Sequence, residues 1–270
     1  MRRLFALPML FALIGAAPLP APRPQRIVSL NLCADQYLLA LADRSQIAAL
    51  TQFARDPEMS AAATAARGVP FTRGSAEDVL ALRPDLIIAT SFRRRATMAQ
   101  LRDRDIATLD LEPAESYAAI VEQVRAVAGA IGHPARGEAL IARMNAALRQ
   151  VSSDAGKGAT AAYYQRRGFL TGTGTLIDDL MRRVGLRNLA VRLNKPPLAQ
   201  VGLEEMARAQ PDYLIVETGS EQSADLGTEL LQHPLLKPIH RLRLPQSWTV
   251  CGGPAYVRAA QSLAAQLDPR

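Results

Sequence analysis

Short apolar runs alternate with stretches of helical period along most of the chain. Residues 26–30, 47–50, 85–90 and 106–111 read as strands, and helices are expected from about Asp35 to Leu41, near Glu77 to Leu82 and near Thr97 to Asp103. Strands that alternate with helices predict a parallel sheet in an α/β lobe. From Ser116 onward, Tyr117, Ile120, Val121, Val124, Val127, Ala128 and Ile131 fall at helical spacing and predict one amphipathic helix, which His133-Pro134 breaks. A second helical pattern over residues 134–151 would be about 27 Å long, enough to cross from one lobe to another. The alternation then restarts, with strands at 159–164, 212–217 and 240–244, a helix over 175–184 and a closing helix over 254–267.

The restart repeats more than the element types. Residues 75–90 lie over residues 202–217 at a constant offset of 127, which matches Glu77 to Glu204, Pro84 to Pro211, Asp85 to Asp212 and Ile88 to Ile215. Each copy reads as a short helix, a Pro-Asp turn and a buried strand. The expected fold class is therefore α/β, with two similar lobes joined by a single helix.

Composition narrows the function. With 49% hydrophobic and 21% charged residues in 270, the chain has the balance of a folded protein rather than a disordered one. The formal charge of +7 comes almost wholly from arginine, because Lys157, Lys195 and Lys237 are the only lysines. No basic block occurs, which argues against a nucleic-acid partner. Three histidines and two cysteines exclude a His-rich or four-cysteine structural metal site. At the N-terminus, Arg2 and Arg3 precede an apolar stretch over residues 4–17 that ends in Gly15, Ala16 and Ala17. This reads as a secretory signal peptide within residues 1–21, too short for a membrane span. The first cysteine is Cys33, so no lipid-attachment cysteine stands at the boundary, and the expected product is free in the periplasm behind a stiff, Pro-rich lead-in over 18–24.

In open α/β sheets ligands sit beyond the carboxyl ends of the strands. In the first lobe this singles out Asn31, Leu32 and Cys33, then Phe53, then Phe92, Arg93 and Arg94; in the second it singles out Tyr164, Arg166, Arg167 and Trp248. The arginines could grip carboxylates or phosphates bidentately, and the aromatic rings could lie against a large flat ligand. Cys33 and Cys251 both fall beside the expected cleft. A bridge and soft-metal ligation are open to them, but their wide separation, in opposite lobes, favours two unpaired, partly buried thiols. Gly172-Thr-Gly-Thr175 lacks the third glycine of a dinucleotide fingerprint and any Gly-Lys-Ser/Thr, and reads as a turn that starts a helix. No Ser-His-Asp order emerges, and no catalytic residue is expected. Glu77 and Glu204 stand at the second position of their helices, where a carboxylate gains from the helix dipole, while Asp78 and Glu205 take the capping place and leave them free to point outward.

Residues 26–36, the stretch 74–88, the turn 184–188 and the second Glu-to-Pro-Asp copy together resemble the periplasmic substrate-binding proteins of ABC importers for cobalamin, ferric siderophores and haem. The resemblance implies two lobes, over about 22–133 and 153–270, held by a rigid helix over 134–152, with a ligand bound between them and not altered. It implies a monomer without cofactor that carries a metal chelate to an ABC importer permease dimer in the inner membrane, with Glu77 and Glu204 docking on permease arginines. A cobalamin-type corrinoid or a ferric siderophore leads as ligand and haem comes third; the arginine content leans toward an anionic siderophore. A tyrosinate bond from Tyr163 or Tyr164 to haem iron stays open. An exported chelate-modifying enzyme and a ligand-sensing receptor domain are the alternatives.

Overall fold

The computed structural model describes residues 23–90, 95–102, 104–222 and 227–267. The first half contains β1 (Ile27–Ser29), α1 (Leu32–Leu41), β2 (Ile47–Thr51), β3 (Phe71–Thr72), α2 (Ala76–Ala81), β4 (Leu86–Ala89), α3 (Arg95–Leu101) and β5 (Ala107–Asp110). Two helices follow, α4 (Tyr117–Ala130) and α5 (Pro134–Leu148). The second half contains β6 (Thr160–Tyr163), β7 (Phe169–Thr171), α6 (Leu176–Arg183), β8 (Arg187–Asn188), α7 (Leu189–Arg192), β9 (Leu198–Gln200), α8 (Leu203–Ala209), β10 (Tyr213–Glu217), α9 (Thr218–Gln222), α10 (Glu229–Gln232), β11 (His240–Leu244) and α11 (Tyr256–Leu267).

The strands form two parallel sheets, ordered β3-β2-β1-β4-β5 and β11-β10-β6-β8, with β7 and β9 as a separate antiparallel pair. Side chains alternate across each strand, and this sorts the core. Ile27, Leu86 and Ile88 of the first sheet join Ala161, Tyr163 and Ile215 of the second in one large cluster, which also takes in α1, α4, α5, α6 and α11. Their neighbours face the other way: Val28, Ile87 and Ala89 pack in a smaller cluster of their own, as do Ala162, Tyr164, Leu214 and Val216. Each sheet thus has one face in a shared core and one in a private core, the two-lobed α/β arrangement expected from the sequence.

The internal repeat is physical. α2 and β4 lie 127 residues before α8 and β10, and in both copies the residue ahead of the proline takes a left-handed conformation, Arg83 at φ 46° and Gln210 at φ 43°. The aspartate after the proline then ties down the neighbouring strand. Asp85 donates its amide to the Arg26 carbonyl and accepts from the Gln25 and Arg26 amides at 2.6 and 2.9 Å; Asp212 donates to the Thr160 carbonyl and accepts from the Thr160 amide at 2.7 Å.

Two expectations need adjusting. α1 begins at Leu32, three residues early, because the Asn31 side chain caps it by accepting from the Cys33 and Ala34 amides. α5 ends at Leu148, short of Val151, and it packs on α4 so closely that a methyl at Gly137 would meet the Ala128 side chain at 2.6 Å. The expected signal peptide falls outside the described residues, among which no helix is long and apolar enough to cross a membrane.

Candidate functional site

A cavity of about 340 Å³ opens at the carboxyl ends of β6, β10 and β11, where parallel sheets present their loops. Tyr163 and Gln165 line it from the end of β6, Glu217 from the last position of β10, and Gln246, Thr249 and Val250 from the segment after β11. Thr171, Thr175, Leu176, Ile177, Pro197 and Leu198 close another wall, and Glu115 enters from the segment before α4. Glu217 is 7% exposed and organises the polar side. Its Oε1 accepts from the Tyr163 hydroxyl at 2.9 Å and from Gln165 Nε2 at 3.0 Å, and its Oε2 accepts from Ser220 Oγ at 3.2 Å. Burial and the adjacent Glu217 charge push the Tyr163 hydroxyl well above its ordinary range, so it stays protonated and donates. Glu115 Oε2 accepts from the Leu176 amide at 3.0 Å, at the start of α6. Thr175 caps that helix through the Asp178 amide, so the Gly172-Thr-Gly-Thr175 segment is the helix-starting turn expected.

The cysteines overturn the expectation of two unpaired thiols. Cys33 and Cys251 form a disulfide with Cα atoms 5.3 Å apart, across a sequence separation of 218. Spacing along the chain misled here, because the segment after β11 folds back onto α1. The Tyr37 hydroxyl donates to the Gly252 carbonyl at 2.7 Å, and Gly252 lies so tightly on Ala114 that a side chain would strike its carbonyl at 2.2 Å. The bridge brings the amino end of α1 to within one residue of Val250 on the cavity wall.

The remaining expected ligand residues separate. Asn31 and Leu32 are half-buried at the start of α1, Asn31 acting as its cap, and neither lines the cavity. Phe53 is 43% exposed in a turn after β2. Phe92, Arg93 and Arg94 lie outside the described residues. Tyr164 has no exposure; its hydroxyl donates to the Val201 carbonyl at 2.8 Å and burial pushes its pKa up to about 12. Strand alternation explains this, since Tyr163 ends β6 and Tyr164 continues its extended chain facing the opposite side, so that only Tyr163 turns to the cavity. Trp248 is half-buried against the shared core with the Arg258 guanidinium 5.4 Å over its ring, and its two successors, Thr249 and Val250, reach the cavity instead. Arg166 and Arg167 are exposed in the turn between β6 and β7, while Gln165 beside them lines the wall.

Many arginines serve the backbone. Arg26 donates to the Leu82 and Arg83 carbonyls after α2, Arg136 to Leu41 at the end of α1, Arg192 to Ala209 at the end of α8, and Arg241 to Leu231 in α10. Cations at helix carboxyl ends satisfy orphan carbonyls and oppose the dipole. Composition reveals the arginines but not this use of them. The sequence signal for Glu217 is different: it is a charged residue that ends a run of buried apolar ones.

Glu77 and Glu204 are exposed at matching places on α2 and α8, and neither forms an ion pair among the described residues. Ser75 caps α2 through the Asp78 amide at 3.1 Å, whereas Gly202 offers α8 no side chain and Glu205 pairs with Lys195 at 2.8 Å.

Among known proteins, two curated relatives named cobalamin-binding protein, from two strains of Halobacterium salinarum, are each 26% identical over 204 residues, covering 74% of this chain and 55% of theirs, so the match spans about half their length. The periplasmic heme-binding protein RhuT from Roseiflexus sp. RS-1 superposes with a TM-score of 0.71 at 25% identity, covering 90% of this chain and 97% of that one. The periplasmic vitamin B12 binding protein BtuF of Vibrio cholerae shares the fold at a TM-score of 0.66 and 16% identity, covering 91% and 97%. The family described as periplasmic binding protein matches residues 27–240, and the chain belongs to it.

Proposed function

We propose that the protein is the substrate-binding component of an ABC importer, which captures a metal chelate in the periplasm and delivers it unaltered to the inner-membrane permease dimer. The observation that carries this reading is a cavity at the strand ends of a lobed α/β chain of this family, walled by Tyr163, Gln165, Glu217, Gln246 and Thr249. A cobalamin-type corrinoid leads as ligand. The name of the curated relatives supports it, and so does a wall that offers carboxylates, amides and hydroxyls rather than cations among its described residues. In this reading residues 1–21 direct export, α5 is the bar between lobes over 22–133 and 153–270, and Glu77 and Glu204 meet the permease. Exposed acids of this kind set orientation and association rate more than affinity, which suits a transient partner.

Titration of the purified protein with cyanocobalamin, haem and a panel of ferric siderophores tests the reading, using thermal shift and quenching of Trp248, the only tryptophan. Saturable binding of one chelate is expected; binding of none overturns it. The Glu77→Ala/Glu204→Ala double variant should abolish transport while leaving ligand affinity intact.

A further inference from the structure

The net charge of the chain and the charge of the described lining of its cavity have opposite signs. The whole carries +7, yet the described lining holds Glu115 and Glu217 and no Lys, Arg or His. Of the two acids, Glu217 is the buried one, fixed by three donors from two segments: Tyr163 and Gln165 at the end of β6, and Ser220 in α9. Two of these bonds fall on Oε1 and one on Oε2, so the carboxylate, which lines the cavity, keeps capacity for a further donor.

We propose that Glu217 selects the ligand by charge: its fixed carboxylate accepts a hydrogen bond from a carboxamide of the ligand and rejects a ligand that presents a carboxylate there. The inference rests on the chelate-receptor reading and deepens it by naming the ligand class as a chelate with neutral, donor-bearing arms. Two carboxylates brought within about 5 Å at a partly buried site repel strongly enough to cost roughly tenfold in affinity. A carboxamide in the same place converts that loss into a charge-assisted bond.

Wild-type protein and Glu217→Gln are titrated with cyanocobalamin, with each of its monocarboxylic acids (one carboxamide hydrolysed) and with haem. Wild type is expected to bind cyanocobalamin tighter than haem, and to bind at least one monoacid about tenfold more weakly than the parent amide. Glu217→Gln, which keeps the size and an acceptor, should close that gap. The comparison of acid with amide on wild type stands even if the variant fails to fold. Equal binding of every monoacid and the amide, a gap unchanged in Glu217→Gln, or tighter binding of haem than of cyanocobalamin overturns this inference and leaves the receptor reading in place. Binding of no chelate by wild type overturns both.

Discussion

The two lobes are built on one plan and put to different use. Ser29 and Tyr163 occupy the same register, paired with Ile88 and Ile215, which are themselves matched in the repeat. Two residues beyond each, an amide side chain reaches across: Asn31 Nδ2 donates to Thr90 Oγ1 at 3.4 Å, and Gln165 Nε2 donates to Glu217 Oε1 at 3.0 Å. In the first lobe the chain then turns straight into α1 at Leu32, and Asn31 is used up as its cap. In the second, residues 164–175 intervene between β6 and α6, and they supply Gln165, Thr171 and Thr175 of the cavity wall. The repeat makes the scaffold, and the insertion into one copy of it makes the site.

The largest expected effect comes from cutting the tie between the copies. Closing 218 residues with the Cys33–Cys251 bridge restrains the unfolded chain by about 5 kcal/mol in the chain-entropy picture. Cys33→Ser, Cys251→Ser and the double variant should therefore behave alike, with melting lowered by roughly 10–20 °C, and a dithiol reductant should bring wild type to the same point. Because Val250 and Thr249 adjoin Cys251 on the wall, the same variants should weaken ligand binding. A melting shift of under about 2 °C would mean that packing alone holds the seam.

The next effect separates the buried acids of the two lobes. Asp178 in the second lobe is nearly buried but has Arg182 at 3.3 Å. Asp35 in α1 has no exposure and is met by the neutral Thr51 amide and hydroxyl, and burial pushes its carboxyl up to about 6 from 3.8. A carboxyl raised by folding is protonated more readily folded than unfolded, so its contribution is most favourable below pH 3.8 and is lost as pH rises to about 6. Asp35→Asn, which still accepts from the Thr51 amide, should abolish this fall and stabilise the protein at pH 7 by about 2–3 kcal/mol. Urea midpoints from pH 4 to 7 measure it; parallel curves for wild type and variant would refute it.

Much of the scaffold was legible because it depends on period and spacing. The strands β1, β2, β4, β5, β6, β10 and β11, the helices α4, α6 and α11 and the 127-residue repeat all follow from the periodicity of strands and amphipathic helices. β3, β7, β8 and β9 were not legible, since strands of two or three residues leave no period to read. The cavity was legible by region but not by lining residue. A cavity does open at strand ends, yet Tyr163, Thr249 and Gln165 line it where the sequence points to Tyr164, Trp248 and Arg166, because facing is set by register and helix capping that a loop sequence does not display. The disulfide was hidden for a related reason: a long separation along the chain says nothing about a segment that folds back.

The smallest expected effect tests whether the copies are energetically as well as geometrically equivalent. Asp85 holds two backbone amides and Asp212 one, although both follow a proline and both accept at the head of the neighbouring central strand. Alanine in either place leaves those amides at the sheet edge to find water, at about 1 kcal/mol for each bond lost. Asp85→Ala should therefore cost about twice as much as Asp212→Ala, and the double variant should show the sum, since the two sites share no partner. Urea denaturation of the three variants gives the ratio. Equal losses would show that the turn held by Arg83 and Gln210, rather than the count of amides, sets the strength of the Pro-Asp unit, and the two halves would then be the same in energy as in outline.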